Sequence, residues 1–163
     1  MRKEQFICPY EVYDSKEELP QQDAELLQRA HDAARNAYAP YSKFNVGAAV
    51  RLANGVIVLG NNVENAAYPS GLCAERVAMF AAMAQYPGVP FEALAVTAWS
   101  ATKAIDEPVA PCGACRQVMV EVEQFSKRPL RVLCQGDTGV VMVFDGIESL
   151  MPFILLADRK SVV

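Results

Sequence analysis

No stretch of this sequence approaches the roughly 20 consecutive apolar residues that a membrane-spanning helix requires; Val140 to Phe144 is typical of its short apolar runs. Residues 1–22 lack the charged-then-apolar layout of a secretion signal, because Glu4, Glu11, Asp14, Glu17 and Glu18 interrupt it. The expected location is therefore the cytoplasm, where thiols stay reduced, and no membrane partner is expected. Positive charge is also scarce. Fifteen Lys and Arg face nineteen Asp and Glu, a net −4 with no basic stripe, which argues against a nucleic-acid partner. Histidine is all but missing. His31 stands alone, with no cysteine or carboxylate three or four positions away to share a ligand site, and reads as a helix-surface or partly buried side chain. The five cysteines are an odd number, which fits metal binding better than a disulfide framework.

What remains is the composition of an ordinary globular domain: 163 residues, 52% apolar and 21% charged. Residues 1–18 read as an N-terminal arm in which Phe6, Tyr10, Val12 and Tyr13 provide docking groups and Ser15 with Glu18 matches a capping box. From Pro20, apolar positions at Leu26, Leu27, Ala30, Ala33, Ala34 and Ala37 recur at helical spacing, predicting a helix over 20–37. Phe44 to Ala53 and Val56 to Leu59 read as strands joined by an Asn54-Gly55 hairpin turn. Helices follow over 72–86, stopped by Pro87 and Gly88, and over 111–125, with Pro111 at its start. Further strands are predicted at Ala93–Trp99, Leu130–Cys134 and Val140–Phe144, with a short helical piece around Ile147 to Met151. Helices inserted between the later strands imply crossover connections. The expectation is one α/β domain over 19–163, a five-stranded mixed sheet with helices packed on its faces.

Two helix starts hold unusual chemistry. Cys73-Ala74-Glu75-Arg76 places a thiol, a carboxylate and a guanidinium together, and Pro111-Cys112-Gly113-Ala114-Cys115-Arg116 adds two thiols that project from one helical face. Free N–H groups and the helix dipole at such starts favour anionic sulfur. A zinc ion held by Cys73, Cys112 and Cys115, with one position open to water, uses all three thiols. Three thiolates around a dication leave a charge of about −1, which weakens the acidifying power that a catalytic zinc needs. Arg76, with Arg116 beside it, supplies positive charge against this. Glu75, two residues from a ligand, is placed to move a proton. Two other readings stay open: a redox pair of Cys112 and Cys115, and a closed structural site completed by Cys134 or Cys8. Between strand and metal helix, Gly60-Asn61-Asn62-Val63-Glu64-Asn65 is either a solvated turn or a grip for a hydroxylated ligand.

Five ordered blocks make the chain similar to a known family. Ala39-Pro40-Tyr41-Ser42-Lys43-Phe44, Val46-Gly47-Ala48-Ala49, Asn62-Val63-Glu64-Asn65-Ala66-Ala67-Tyr68-Pro69, Cys73-Ala74-Glu75-Arg76 and Pro111-Cys112-Gly113-Ala114-Cys115-Arg116-Gln117 together resemble the small, homotetrameric, three-cysteine cytidine deaminases, from about Ala30 to about Pro152. The resemblance implies one zinc per chain on Cys73, Cys112 and Cys115, with water or hydroxide as fourth ligand. It implies hydrolysis of cytidine and deoxycytidine to uridine and deoxyuridine with release of ammonia, a step of pyrimidine salvage, with Glu75 as proton carrier. Phe44 would pack on the pyrimidine, the Ala74 N–H would hold the base carbonyl, and Asn62 and Glu64 would bind ribose hydroxyls. Tyr68 would lie near a subunit boundary of a homotetramer whose chains complete each other's pockets. The resemblance also leaves room for another aminopyrimidine nucleoside such as blasticidin S as substrate. A non-catalytic zinc-stabilised module is the reading outside enzymes. One departure stands out. The family's base-covering phenylalanine falls three residues after the Leu-Leu-Pro proline, where this chain has Leu155, with Phe153 shifted two places before it.

Overall fold

The structure, a computed structural model, describes residues 1–156; residues 157–163, the end of the expected domain, lie outside the described residues. In chain order the elements are β1 (Glu11–Tyr13), α1 (Gln21–Ala34), β2 (Asn45–Leu52), β3 (Ile57–Asn61), α2 (Ala74–Gln85), β4 (Phe91–Trp99), α3 (Gly113–Ser126), β5 (Arg131–Cys134) and β6 (Val141–Phe144), with short 3₁₀ turns at 16–18, 68–70 and 147–149. The helices and strands fall where the apolar periodicity puts them, shortened by one to three residues at most ends. β3 instead runs on through Gly60 and Asn61, because these pair with Ala48 and Gly47 of β2.

The sheet is mixed, as expected, but among the described residues it has six strands rather than five, in the order β1-β6-β5-β4-β2-β3. The missed strand, β1, lies in the arm. Its three residues are too few to show an alternating pattern. It forms because β6 would otherwise leave its outer backbone groups unpaired: Glu11, Val12 and Tyr13 pair antiparallel with Val143, Met142 and Val141. The Tyr10 ring packs 5.6 Å from that of Phe144, and Glu11 faces Arg131 at 3.4 Å. The capping box does not close. Ser15 makes no side-chain cap bond, and the Glu18 carboxylate instead accepts the Asp14 N–H at 3.1 Å.

Alternation along the strands sends side chains to two separate cores. Ala48, Val50 and Leu52 of β2, Leu94 and Val96 of β4, and Val132 of β5 meet Ala78, Met79 and Ala82 of α2 and Met119, Val120 and Val122 of α3. Ala49, Ala93, Ala95, Leu133 and Val143 turn the other way, onto Leu26, Leu27 and Ala30 of α1. The result is a three-layer sandwich with α1 on one face and α2 and α3 on the other. β4 and β5 are parallel, and α3 is the crossover between them. Both faces of the sheet are covered, so its strands read as nearly continuous apolar runs.

Two glycines set how closely the helices approach. A Cβ on Gly47 would sit 2.0 Å from the Ala30 carbonyl oxygen of α1, and one on Gly60 would sit 2.4 Å from Ala78 N and 2.5 Å from Ala74 O of α2. The backbone of α2 therefore rests directly on β3, and its first turn is fixed there. Gly60→Ala is expected to lower the free energy of unfolding by about 1–3 kcal/mol, read from the urea midpoint. Gly113→Ala, where a Cβ would meet nothing within 4 Å, serves as the control and should not.

Candidate functional site

Cys73 is the N-cap of α2 and Cys112 the N-cap of α3, both with extended backbone and neither with a side-chain cap bond. Their sulfurs are thus free to turn toward each other. Cys115 enters on the first turn of α3 and is fully buried. The three sulfurs all lie within 4.8 Å of one another, with Cys73–Cys112 at 3.9 Å and Cys112–Cys115 at 3.5 Å. Among the described residues no fourth ligand type joins this group. Cys134 lies buried in β5 and Cys8 is exposed in the arm, so neither closes the cage.

The cluster's protons are unevenly held. The hydrogen bond from Cys115 draws the Cys73 thiol down to about 5 against the opposing effect of burial, and Arg76 assists from 3.8 Å. Cys115 is driven upward, by its bond to Cys73 and by burial. A divalent cation would displace the remaining thiol protons on binding. Burial alone accounts for most of the rise of the Cys134 thiol to about 12, the behaviour of a small core residue rather than a ligand. Sulfur-only donors at this spacing suit zinc.

Glu75, on the first turn of α2, is 4% exposed. Desolvation raises its pKa above the ordinary carboxylate value, and the neighbouring Cys73 charge adds to the effect. Arg76 follows it, with Nη2 toward the Cys73 sulfur and a buried Nε that has no hydrogen-bond partner among the described residues. Arg116 behaves differently. The sequence groups it with Arg76, yet it donates to the carbonyls of Pro111 (2.7 Å) and Leu150 (2.6 Å), bracing α3 against the C-terminal segment.

A cavity of about 870 Å³ opens over the cluster. Phe44, Asn62, Glu64, Tyr68, Glu75 and Arg76 all line it, so residues far apart in the sequence meet here as expected. The Asn62 carboxamide accepts the Val46 N–H (2.7 Å) and donates to the Phe44 carbonyl (3.0 Å). Glu64 Oε2 accepts the Tyr41 and Ser42 N–H groups, and hydrogen bonds from Ser42, its hydroxyl first, keep this carboxyl below its ordinary pKa. Ala74 is the first residue of α2, where the N–H has no intrahelical acceptor. Val109 and Ala110 also line the cavity and were not anticipated; the signal was an apolar pair between Pro108 and Pro111, just ahead of Cys112. Phe153 is 94% exposed with its ring 6.4 Å from Phe6, and the Leu155 carbonyl accepts from Gln117, so neither lines its own chain's cavity. His31 lies elsewhere, with Nε2 3.0 Å from Gln135 Oε1, in keeping with the reading of a partly buried non-ligand.

Residues 20–128 match the family model described as the cytidine and deoxycytidylate deaminase zinc-binding region. The cytidine deaminase of Halalkalibacterium halodurans is 41% identical over 117 residues, covering 72% of this chain and 76% of that protein. A cytidine deaminase of Mycobacterium tuberculosis is 40% identical over 123 residues, 73% of this chain and 88% of the relative. Among solved structures, the crystal structure of cytidine deaminase from Burkholderia pseudomallei superposes with a TM-score of 0.70 at 42% identity, covering 80% of this chain and 97% of that one.

The orientation of Arg76 generates a prediction. Replacing Arg76 by alanine is expected to weaken zinc retention by about 10- to 100-fold, measured by competition with a chromogenic chelator. An unchanged affinity would show that the sulfur charge is balanced by other means.

Proposed function

The chain belongs to the cytidine and deoxycytidylate deaminase zinc-binding family, and from that premise we propose that it hydrolyses cytidine and deoxycytidine to uridine and deoxyuridine, releasing ammonia. The observation that carries this reading is the pairing of a three-sulfur cluster with a buried carboxyl two residues from one of its members. Cys73, Cys112 and Cys115 would hold the zinc, which when bound supplies the Lewis acidity that makes water a nucleophile near neutral pH.

Glu75 carries the protons. Its carboxylate takes one from the water that adds at carbon 4 and delivers it to ring nitrogen 3. A second transfer, from the new hydroxyl to the amino group, lets ammonia leave and restores the carbonyl of uridine. Burial suits Glu75 to this work, because a pKa raised toward the working pH lets it both accept and release a proton. Arg76 draws electron density from Cys73 and so limits the loss of acidity caused by sulfur ligands.

The remaining residues orient the substrate. The unpaired Ala74 N–H faces the base carbonyl, and Phe44 packs on the pyrimidine ring. Glu64 Oε1 and the second N–H of Asn62, which the internal bonds leave free, reach the ribose hydroxyls. We read the assembly as a homotetramer in which neighbouring chains complete each pocket and Phe153 or Leu155 covers a neighbour's base. Tyr68, 79% exposed at the cavity, together with the exposed Tyr41 and Leu72, supports an interface there.

Purified protein incubated with cytidine should release ammonia with the matching loss of ultraviolet absorbance. Glu75→Ala should keep one zinc per chain by metal analysis and lose about 10²–10⁴ in kcat; full turnover in that variant would remove Glu75 from the chemistry. Light scattering on the eluted peak should give four times 17.8 kDa, and a monomeric mass with full activity would exclude shared pockets.

A further inference from the structure

The segment from Tyr38 to Val46 carries Phe44 to the cavity without forming regular secondary structure until β2 begins at Asn45. Its ends are tied by backbone bonds to the strip that follows β3. Tyr38 N–H donates to the Asn62 carbonyl at 3.0 Å, Glu64 N–H to the Tyr38 carbonyl at 2.8 Å, and Asn62 N–H to the Val46 carbonyl at 3.1 Å. Between those ends the chain turns through Lys43 at φ +56°, a left-handed conformation that is unfavourable for a residue with a Cβ.

Side chains from the same strip satisfy what the turn exposes. Tyr41 and Ser42 donate to Glu64 Oε2 at 2.9 and 3.2 Å. Lys43 N–H reaches the Ala39 carbonyl, and Phe44 N–H the Ser42 hydroxyl. Asn62 then brackets Phe44 on the far side, donating to its carbonyl at 3.0 Å and accepting from Val46 at 2.7 Å. Three backbone groups inside the turn, and the Val46 N–H at its end, thus depend on two side chains, and these are the two that the proposed reaction assigns to the sugar.

We propose that Asn62 and Glu64 are positioning residues for Phe44: the side chains that grip the ribose also hold, through their other polar atoms, the turn that carries the ring packed on the base, so sugar and base recognition are coupled through this turn. The inference rests on the deaminase reading above, which wild-type turnover of cytidine tests separately.

The experiment uses full-length, zinc-loaded protein with cytidine as substrate and 2′,3′-dideoxycytidine as a competing ligand that offers neither ring hydroxyl. Asn62→Ala is expected to raise the inhibition constant of dideoxycytidine about tenfold, as for two hydrogen bonds lost together, and to raise the KM for cytidine as well. Its cost on kcat/KM should shrink when Phe44 is already alanine, the non-additivity expected of residues that act through one another. An unchanged dideoxycytidine constant, or losses that simply add, would overturn the proposal and leave Asn62 as a sugar contact alone. If Asn62→Ala does not fold, Asn62→Asp replaces it in the same comparison; it keeps the acceptor for Val46 N–H and loses the donor to the Phe44 carbonyl.

Discussion

Everything at the site depends on two helices starting at one point. Cys73 caps α2 and Cys112 caps α3, so two helix N-termini, each carrying a partial positive charge, converge with the Arg76 guanidinium beside them. Brought together bare, these charges would repel. Anionic sulfur between them removes the repulsion, and the helix ends in turn favour the ionised form of the sulfur. The cluster and the packing of α2 and α3 on the sheet therefore support each other. Gly60 contributes mechanically, because its missing side chain lets the first turn of α2 settle on β3.

The first turn of α2 also explains how one short stretch can hold three roles. Cys73 faces the sulfur cluster, Glu75 is buried beside it, and Arg76 returns to Cys73 from one turn further on. The local field opposes ionisation of Glu75, through burial and the Cys73 charge, while Arg76 only partly offsets it. A carboxyl held between these influences is a better proton shuttle than a solvated one. Arg116 stands outside this field and ties the metal helix to the segment at Leu150, so the position of α3 depends on the C-terminal part of the chain.

Much of this was legible in the sequence because the signals are local. Leu26, Leu27 and Ala30 announce α1 by periodicity, Asn54-Gly55 announces the hairpin, and Gly55 does adopt φ +82°. The Cys-x-x-Cys spacing and the helix starts placed three sulfurs on two N-termini. What could not be read was anything decided by a distant partner. β1 is a strand only because β6 needs one. Arg116 has the same neighbours in sequence as a sulfur-facing arginine, and a carbonyl more than thirty residues away decides its direction. The backbone bonds of Asn62 and Glu64 were equally hidden, since an amide and a carboxylate in a polar loop do not reveal which chain they will brace.

The pairing of β1 with β6 has a bearing on how the molecule is made. Glu11 leaves the ribosome long before its partner Val143, with most of the helices and strands lying between them in sequence. Sequence-distant pairings of this kind form late, after the loop entropy they require has been met by contacts elsewhere. Residues 11–13 therefore have no strand partner until β6 has been made. That border of the sheet is thus closed by a segment synthesised well ahead of the strand it completes.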